Sequence, residues 1–261
     1  GLRSGDMSMP EEINRLVTDR LADLLLTPDK MSNENLRMEG VSEKKIVFVG
    51  NIMIDTLEAN RDKTAGLSIE RICSENRLQE KNSKSEEGSK KVDFSGLQKG
   101  NFAVLTLHRP SNVDSPEILK PLIDFLRTEV ASDMALIWPI HPRTEKRLHE
   151  FGLWDDVIRT QNLILLKPVG YYEMLRLNMK ARLIFTDSGG LQEECTVLGT
   201  PCLTLRWNTE RPVTLREHGG ASVLVGNDVE RIRTEYKKTL KSERKPVRPE
   251  FWDGHTAERC L

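Results

Sequence analysis

Residues 181–205 read ARLIFTDSGGLQEECTVLGTPCLTL. An apolar run leads through Gly189-Gly190 into a helix-length stretch over 191–198, and a second apolar run follows at 202–205. A strand that turns through two glycines into a helix and returns as a strand is a βαβ unit. Such a unit builds parallel sheet with a right-handed crossover. The same alternation continues outward on both sides. Strand-length apolar runs stand at 46–49, 102–107, 135–140, 163–166 and 222–225, with helical stretches over 116–130, 143–151, 171–179 and 228–240. These runs are continuously apolar, as strands covered on both faces require. The pattern predicts a doubly wound α/β domain over 100–245.

Ahead of this domain the pattern changes. Residues 81–99 are charged and poor in apolar side chains, which predicts a surface loop within a linker over 61–99. Before it come a helix over 11–26, a strand at 46–49 and a helix from about residue 52. One strand makes no sheet, and Gly1 to Asp6 do not read as a natural start. Residues 1–60 are therefore expected to be the end of a domain whose beginning is absent. Its apolar faces between residues 11 and 57 are then expected to lie uncovered.

Bulk properties narrow the function. The 261 residues carry a net charge of −1, so no long-range field draws the chain to nucleic acid or anionic lipid. No apolar run is long enough to span a bilayer. Four cysteines with no CxxC pair argue against a metal knuckle or a disulfide framework, and point to a reduced, cytoplasmic compartment.

In an open parallel sheet, ligands bind beyond the carboxyl ends of the strands. Four strand ends carry His108-Arg109-Pro110-Ser111-Asn112, His141-Pro142-Arg143, Asp187-Ser188-Gly189-Gly190, and Arg206 followed by Thr209-Glu210-Arg211-Pro212. Together they describe a polar, partly cationic rim suited to an anion. At Ser188-Gly189-Gly190 the free amides of a helix start, aided by the helix dipole, can hold a phosphate that glycines let approach closely. A simple N-cap turn is the bland alternative, with Ser188 as the cap. At 100° per residue, Leu191, Cys195 and Leu198 define a buried stripe. Glu193 then faces solvent as a surface charge, while Glu194 flanks the cleft where it could accept from a ribose diol.

Residues 209–212 read as a helix start capped by Thr209 or Asn208. Arg206 and Arg211 suit a bidentate clamp on a diphosphate. A local Glu210–Arg211 pair on an exposed cap fits the spacing equally. In the first helix Ile13, Leu16, Val17, Leu21 and Leu24 form an apolar stripe, with Glu11 and Arg15 opposite it. These two are either an ordinary surface ion pair or part of a cleft lining. His108 follows a buried strand directly and so belongs to the rim. No His or Cys stands at helical spacing from either His108 or His141, which argues against zinc.

These blocks are colinear with one family. Thr186 through Glu194, Leu198-Gly199-Thr200-Pro201, Arg206 with Thr209-Glu210-Arg211-Pro212, His108-Arg109, Val49-Gly50-Asn51 with Asp55, Pro10-Glu11-Glu12-Ile13-Asn14-Arg15 and Gly1-Leu2-Arg3-Ser4-Gly5-Asp6 together resemble the UDP-N-acetylglucosamine 2-epimerase family. The resemblance covers nearly all the chain outside 61–99. It implies a GT-B-like fold, two Rossmann-like domains facing across a cleft, with 246–261 as the C-terminal crossover segment.

By this resemblance Ser188, Gly189 and Gly190 hold UDP phosphate and Glu194 takes the ribose hydroxyls. The segment from Arg206 through Thr209, Glu210 and Arg211 closes on the nucleotide, and Arg109 and His141 join the UDP set. Glu11, Arg15 and His108 match positions of catalysis or substrate binding. The implied reaction removes the C2 proton of UDP-N-acetylglucosamine, expels UDP, and re-adds it to give UDP-N-acetylmannosamine for surface polysaccharides. No cofactor, nicotinamide or metal is implied, and a cytoplasmic homodimer is. Two departures stand out. Pro110-Ser111 replace the family's Arg-Glu, and the chain lacks most of the family's first domain and its closing helix. Poor turnover by the chain alone is the expectation. Alternatives are a hydrolysing relative releasing free N-acetylmannosamine, a GT-B glycosyltransferase, and a non-catalytic UDP-sugar-binding module.

Overall fold

The computed structural model describes residues 1–78 and 97–261. The apolar runs of the sequence form two parallel sheets. The larger has six strands: β3 (Phe102–Thr106), β4 (Ala135–Pro139), β5 (Leu163–Leu166), β6 (Leu183–Thr186), β7 (Cys202–Thr204) and β8 (Ser222–Leu224). Their spatial order is β5-β4-β3-β6-β7-β8, every neighbouring pair parallel. The first three strands step one way from β3 and the last three step the other way from β6. That order is the dinucleotide-binding one, and its switch point lies between β3 and β6.

Both faces of this sheet are covered, which explains the unbroken apolar runs. One face packs Leu105, Trp138 and Phe185 against Phe125 and Tyr236 from the helices Pro116–Phe125 and Val229–Thr239. The other packs Phe102, Val104, Ile137 and Ile184 against Leu177 and against Ile69, Ile72 and Cys73 of the helix Ile69–Asn76. Backbone bonds from Leu78 to Leu165 and from Lys167 to Asn76 fasten that helix to β5. Residues 67–78 thus belong physically to the second sheet. Of the predicted loop over 81–99, residues 81–96 lie outside the described residues, and Leu97–Lys99 is a short 3-10 turn.

The first region differs from its expectation in one element. The helix runs Pro10–Leu21 and stops there, because Ala22 is extended. Residues Leu25–Thr27 then alternate buried, exposed, buried and form β1, which pairs parallel with β2 (Ile46–Phe48). A reading by apolar content alone carried the helix through Leu26, although this period of two marks a strand. Ile13, Val17, Leu21 and Leu24 are exposed, in keeping with the uncovered face expected, and the buried residue of the helix is Glu12.

The regions are joined by a shared apolar cluster and by the C-terminal segment. Ile54 and Leu57 of the helix Ile52–Ala65 pack with Leu175, Val197, Leu198 and Trp252. The indole Nε1 of Trp252 donates to the Pro28 carbonyl at 2.9 Å. Asp55 accepts from the backbone N–H groups of Thr256 and Ala257 at 3.0 and 2.7 Å. No helix among the described residues is long and apolar enough to cross a membrane.

Candidate functional site

The switch point brings together the two segments that follow β3 and β6. Side by side, Thr106 and Thr186 share a hydroxyl–hydroxyl bond of 2.6 Å at the strand ends. One step on, Asp187 is wholly buried and accepts from the backbone N–H of His108 at 2.9 Å and of Arg109 at 2.8 Å. It also meets His108 Nδ1 at 2.8 Å and Asn112 Nδ2 at 3.2 Å. Asn112 Nδ2 reaches the Leu205 carbonyl as well, at 2.9 Å, so the loop after β3 is tied to the ends of both β6 and β7. Burial alone would raise the Asp187 pKa. The His108 bond and charge and the two backbone donors outweigh it, holding the carboxyl below its ordinary range.

After Asp187 the chain enters the helix Gly189–Leu198 with Ser188 at the N-cap. Ser188 is extended, but its side chain makes no cap bond to the helix, so the cap reading holds for position and not for the hydroxyl. The two glycines do different things. A Cβ on Gly189 would run into the Arg211 guanidinium, whereas one on Gly190 would meet open space. The helix mouth is thus closed by protein at one glycine and open at the next.

Almost the whole helix is buried, and this overturns one expectation. Glu193 is 4% exposed and not a surface charge; its Oε1 takes a 2.7 Å bond from Arg211 Nε. The stripe argument assigned one buried face. The packing of the helix Ile52–Ala65 and of the loop after β7 covers the others. Burial raises the Glu193 pKa against the opposing pull of Arg211. Glu194 is also buried, hydrogen-bonded by Asn178 Nδ2 at 3.3 Å and by the Tyr171 hydroxyl. Burial dominates there and pushes its pKa up to about 7.

The loop after β7 forms no helix start at 209–212. A 3-10 turn begins instead at Pro212. The Thr209 hydroxyl bridges, accepting from the Arg211 N–H at 3.1 Å and donating to Gln192 Oε1 at 3.0 Å. Glu210 joins the two arginines: Arg206 Nη2 lies 2.7 Å from its Oε2, and Arg211 Nη1 bonds its Oε1. The Glu210–Arg211 pair anticipated on an exposed cap therefore exists, but buried. Burial would raise the Glu210 pKa; the arginines overcome it and bring it to about 2. Arg206 Nη1 is buried with no partner among the described residues. An unpaired buried guanidinium donor costs on the order of 1–3 kcal/mol, so its presence needs an explanation.

Arg109 completes the cationic side. Its pKa is lowered, first by burial and then by the charge of Arg206, while Glu210, Asp187 and Glu11 pull the other way. Glu11 thus shares an electrostatic field with the switch point although it is exposed and lies in the first region. Arg15 pairs with Glu12, at 3.1 and 2.5 Å, and not with Glu11 as the helical spacing suggested. Glu12 also accepts from the Ser4 and Gly5 N–H groups at 3.0 and 2.9 Å, which holds the 1–6 segment in place. Asp6 Oδ2 then receives Asn208 Nδ2 at 3.3 Å, a contact between the two regions at the rim.

His141 stands at a helix start. Its Nδ1 accepts from the Arg143 N–H at 3.1 Å and caps the helix Pro142–Glu150, yet its ring stands 5.4 Å from that of His108. Among the described residues no cluster of His, Cys, Asp or Glu is placed to hold a metal ion. Asp187 and Asn112 stood on the predicted rim without a role of their own, Glu12 was given none, and Tyr171 was not singled out. Asp187 carried a signal, being the first residue past a buried strand, but its partners are 75 and more positions away.

A family model described as UDP-N-acetylglucosamine 2-epimerase matches residues 1–261. The UDP-N-acetylglucosamine 2-epimerase of Methanocaldococcus jannaschii is 40% identical, covering 100% of this chain and 66% of that protein. A UDP-2,3-diacetamido-2,3-dideoxy-D-glucuronate 2-epimerase of Pseudomonas aeruginosa is 36% identical over 93% of this chain and 61% of its own length. The crystal structure of the M. jannaschii enzyme in complex with UDP-GlcNAc and UDP superposes with a TM-score of 0.83 at 38% identity, over 100% of this chain and 66% of that one. The chain thus spans about two thirds, or slightly less, of the length of these relatives, and its fold is GT-B-like.

Proposed function

Since this chain belongs to the UDP-N-acetylglucosamine 2-epimerase family, we propose that its switch-point cleft binds the diphosphate of a UDP-2-acetamido sugar, and that the protein is an isomerase inverting C2 of UDP-N-acetylglucosamine. The observation that carries this reading is the buried, unpartnered Arg206 Nη1, whose bonded partner Glu210 lies against Gly189, next to the open helix mouth at Gly190. A diphosphate oxygen supplies the missing acceptor. The amides of Gly189 and Gly190 and the Ser188 hydroxyl add donors, and Arg109 adds charge. Arg211 and Glu210 hold the loop and Arg206 in position, with Thr209 pinning that loop to the helix. Glu194 receives the ribose hydroxyls in exchange for Tyr171 and Asn178.

Chemistry follows from holding charge where it develops. Loss of the C2 proton and departure of UDP leave negative charge on the diphosphate, which Arg206, Arg109 and the helix mouth stabilise. The proton needs a positioned base, and His108 and Glu11 stand on the two sides of the cleft. Arg15, oriented by Glu12, supports the Glu11 side. His141, whose ring is 5.4 Å from that of His108, contacts the substrate in this reading. Re-addition of UDP with proton return to the opposite face gives UDP-N-acetylmannosamine. Hydrolysis to free N-acetylmannosamine is the second outcome that the same cleft allows.

The test is incubation with UDP-N-acetylglucosamine in heavy water, with UDP protection of amides measured in parallel. The reading predicts slowed exchange at Gly189 to Leu191 on adding UDP, and deuterium at C2 of recovered UDP-sugar. Labelled free sugar would mean hydrolysis. Unprotected amides at the helix mouth would sink the nucleotide site itself.

A further inference from the structure

Asp187 has a burial and a set of contacts that nucleotide binding does not use. Its Oδ1 lies 2.8 Å from His108 Nδ1, and its Oδ2 accepts the N–H groups of His108 at 2.9 Å and Arg109 at 2.8 Å, with Asn112 Nδ2 at 3.2 Å. A carboxylate has about four lone-pair sites, and these donors fill them. Asp187 is also 0% exposed. It therefore has neither the access nor the free acceptor to take a proton from a ligand. What it can do is hold His108.

We propose that Asp187 is a positioning residue that fixes the His108 imidazole with its proton on Nδ1, presenting Nε2 as the nitrogen that exchanges a proton with bound sugar nucleotide. This deepens the function proposed above and rests on it for the identity of the proton donor. An ionised carboxylate only accepts, so the nitrogen facing it must carry hydrogen. When Nε2 takes a proton, the ring becomes an imidazolium whose charge faces the buried carboxylate. In the reverse reaction the same Nε2 gives that proton up to the same face of C2. Asp187 stays unprotonated throughout, the division of labour known from other carboxylate–imidazole pairs. Arg109, beside the pair, feels the charges of Arg206, Glu210, Asp187 and Glu11, and His141 is the ring next to His108.

His141 provides an internal reference. Its Nδ1 accepts from the Arg143 N–H, so its own proton sits on Nε2. Two histidines 5.4 Å apart thus carry opposite tautomers. The topology explains why. Asp187 lies one residue past β6 and His108 two residues past β3, the two strands that flank the switch point, so one or two backbone steps past the sheet suffice to join them.

The experiment is a proton–nitrogen correlation spectrum of the protein labelled on histidine, at a pH where the rings are neutral. His108 should show a protonated Nδ1 and an unprotonated Nε2, and His141 the reverse. In Asp187→Asn the two backbone N–H groups keep the amide oxygen, leaving the NH2 opposite His108 Nδ1. The His108 tautomer then inverts, turnover falls about 10³-fold or more, and UDP affinity stays within about twofold of wild type. In a His108→Gln background, Asp187→Asn should cost no further turnover. A wild-type His108 protonated on Nε2, or a tautomer unmoved by Asp187→Asn, overturns the proposal. The wild-type spectrum decides even if the variant does not fold. Because the tautomer is read without substrate, it judges Asp187 whether or not C2 exchange is seen.

Discussion

The two sheets of this molecule are built from the same kinds of residue and held by different forces. In the six-stranded sheet, apolar side chains are buried on both faces, and Phe102, Leu105, Trp138 and Phe185 are 0% exposed. Around the two-stranded sheet, Leu24, Leu26 and Val47 face outward. There, order comes from directed polar contacts: Glu12 on the Ser4 and Gly5 amides, Asp29 capping the helix Lys30–Met38, and the C-terminal segment on Asp55 and Pro28. The second region should resist loss of single polar contacts, and the first should depend on them.

Truncating the core gives the largest contrast. Phe185 packs edge-on to Phe125 at 6.5 Å and against Tyr236 at 5.8 Å. Phe185→Ala should destabilise the second region by about 3–5 kcal/mol, read by denaturant unfolding. Leu24→Ala, at a side chain 56% exposed, should change stability by no more than about 0.5 kcal/mol. A loss of several kcal/mol at Leu24 would break the comparison.

The seam between the regions comes next. Gly50 has φ +96°, and a Cβ there would run into the Phe251 carbonyl. Gly50→Ala should cost about 1–3 kcal/mol from backbone strain and release the C-terminal segment from the first region. Proteolysis near Phe251 should then rise while amide protection in β3 and β6 stays unchanged. Equal loss of protection in both sheets would show that they unfold as one.

This division also explains what could be read from residues alone. Continuous apolar runs identified seven of the eight strands among the described residues; for the six of the larger sheet burial on both faces leaves a composition that needs no context, while Ile46–Phe48 was read from its apolar run although Val47 faces outward. Leu25–Thr27 escaped, since a three-residue strand with one face outward differs little from the end of a helix. The helix start of the candidate site, at Ser188-Gly189-Gly190, could be read from the residues because it rests on backbone. Contacts that pair side chains across the fold could not. Glu193 was misplaced because helical periodicity describes one covered face, and this helix is covered on nearly all sides. Of the two readings left open for Glu11 and Arg15, the ion pair does not form: spacings of three and four are equivalent on a bare helix, and the loop at Ser4 and Gly5 holds Glu12 where Arg15 meets it.

The smallest effects are those of pH, and here the two regions should answer with opposite sign. Glu12, in the first region, is moved from an ordinary 4.5 to about 2, since Arg15 and the Ser4 and Gly5 donors outweigh burial. Its folded pKa is depressed, so its contribution is present above pH 4.5 and is lost as pH falls toward 2. Glu194, in the second, moves from 4.5 to about 7 because burial dominates. The folded state there keeps a proton that the unfolded chain releases. Stability is therefore undiminished below pH 4.5 and falls as pH rises through 7. Hydrogen exchange at Gly5 should quicken between pH 4.5 and 2, after correction for intrinsic rates, and Glu12→Gln should remove that dependence. Exchange in the helix Gly189–Leu198 should quicken instead between pH 4.5 and 7, and Glu194→Gln should flatten it. If both regions loosened in the same pH window, one shared polar network would be holding them, and the contrast between a core built on burial and one built on directed bonds would fail.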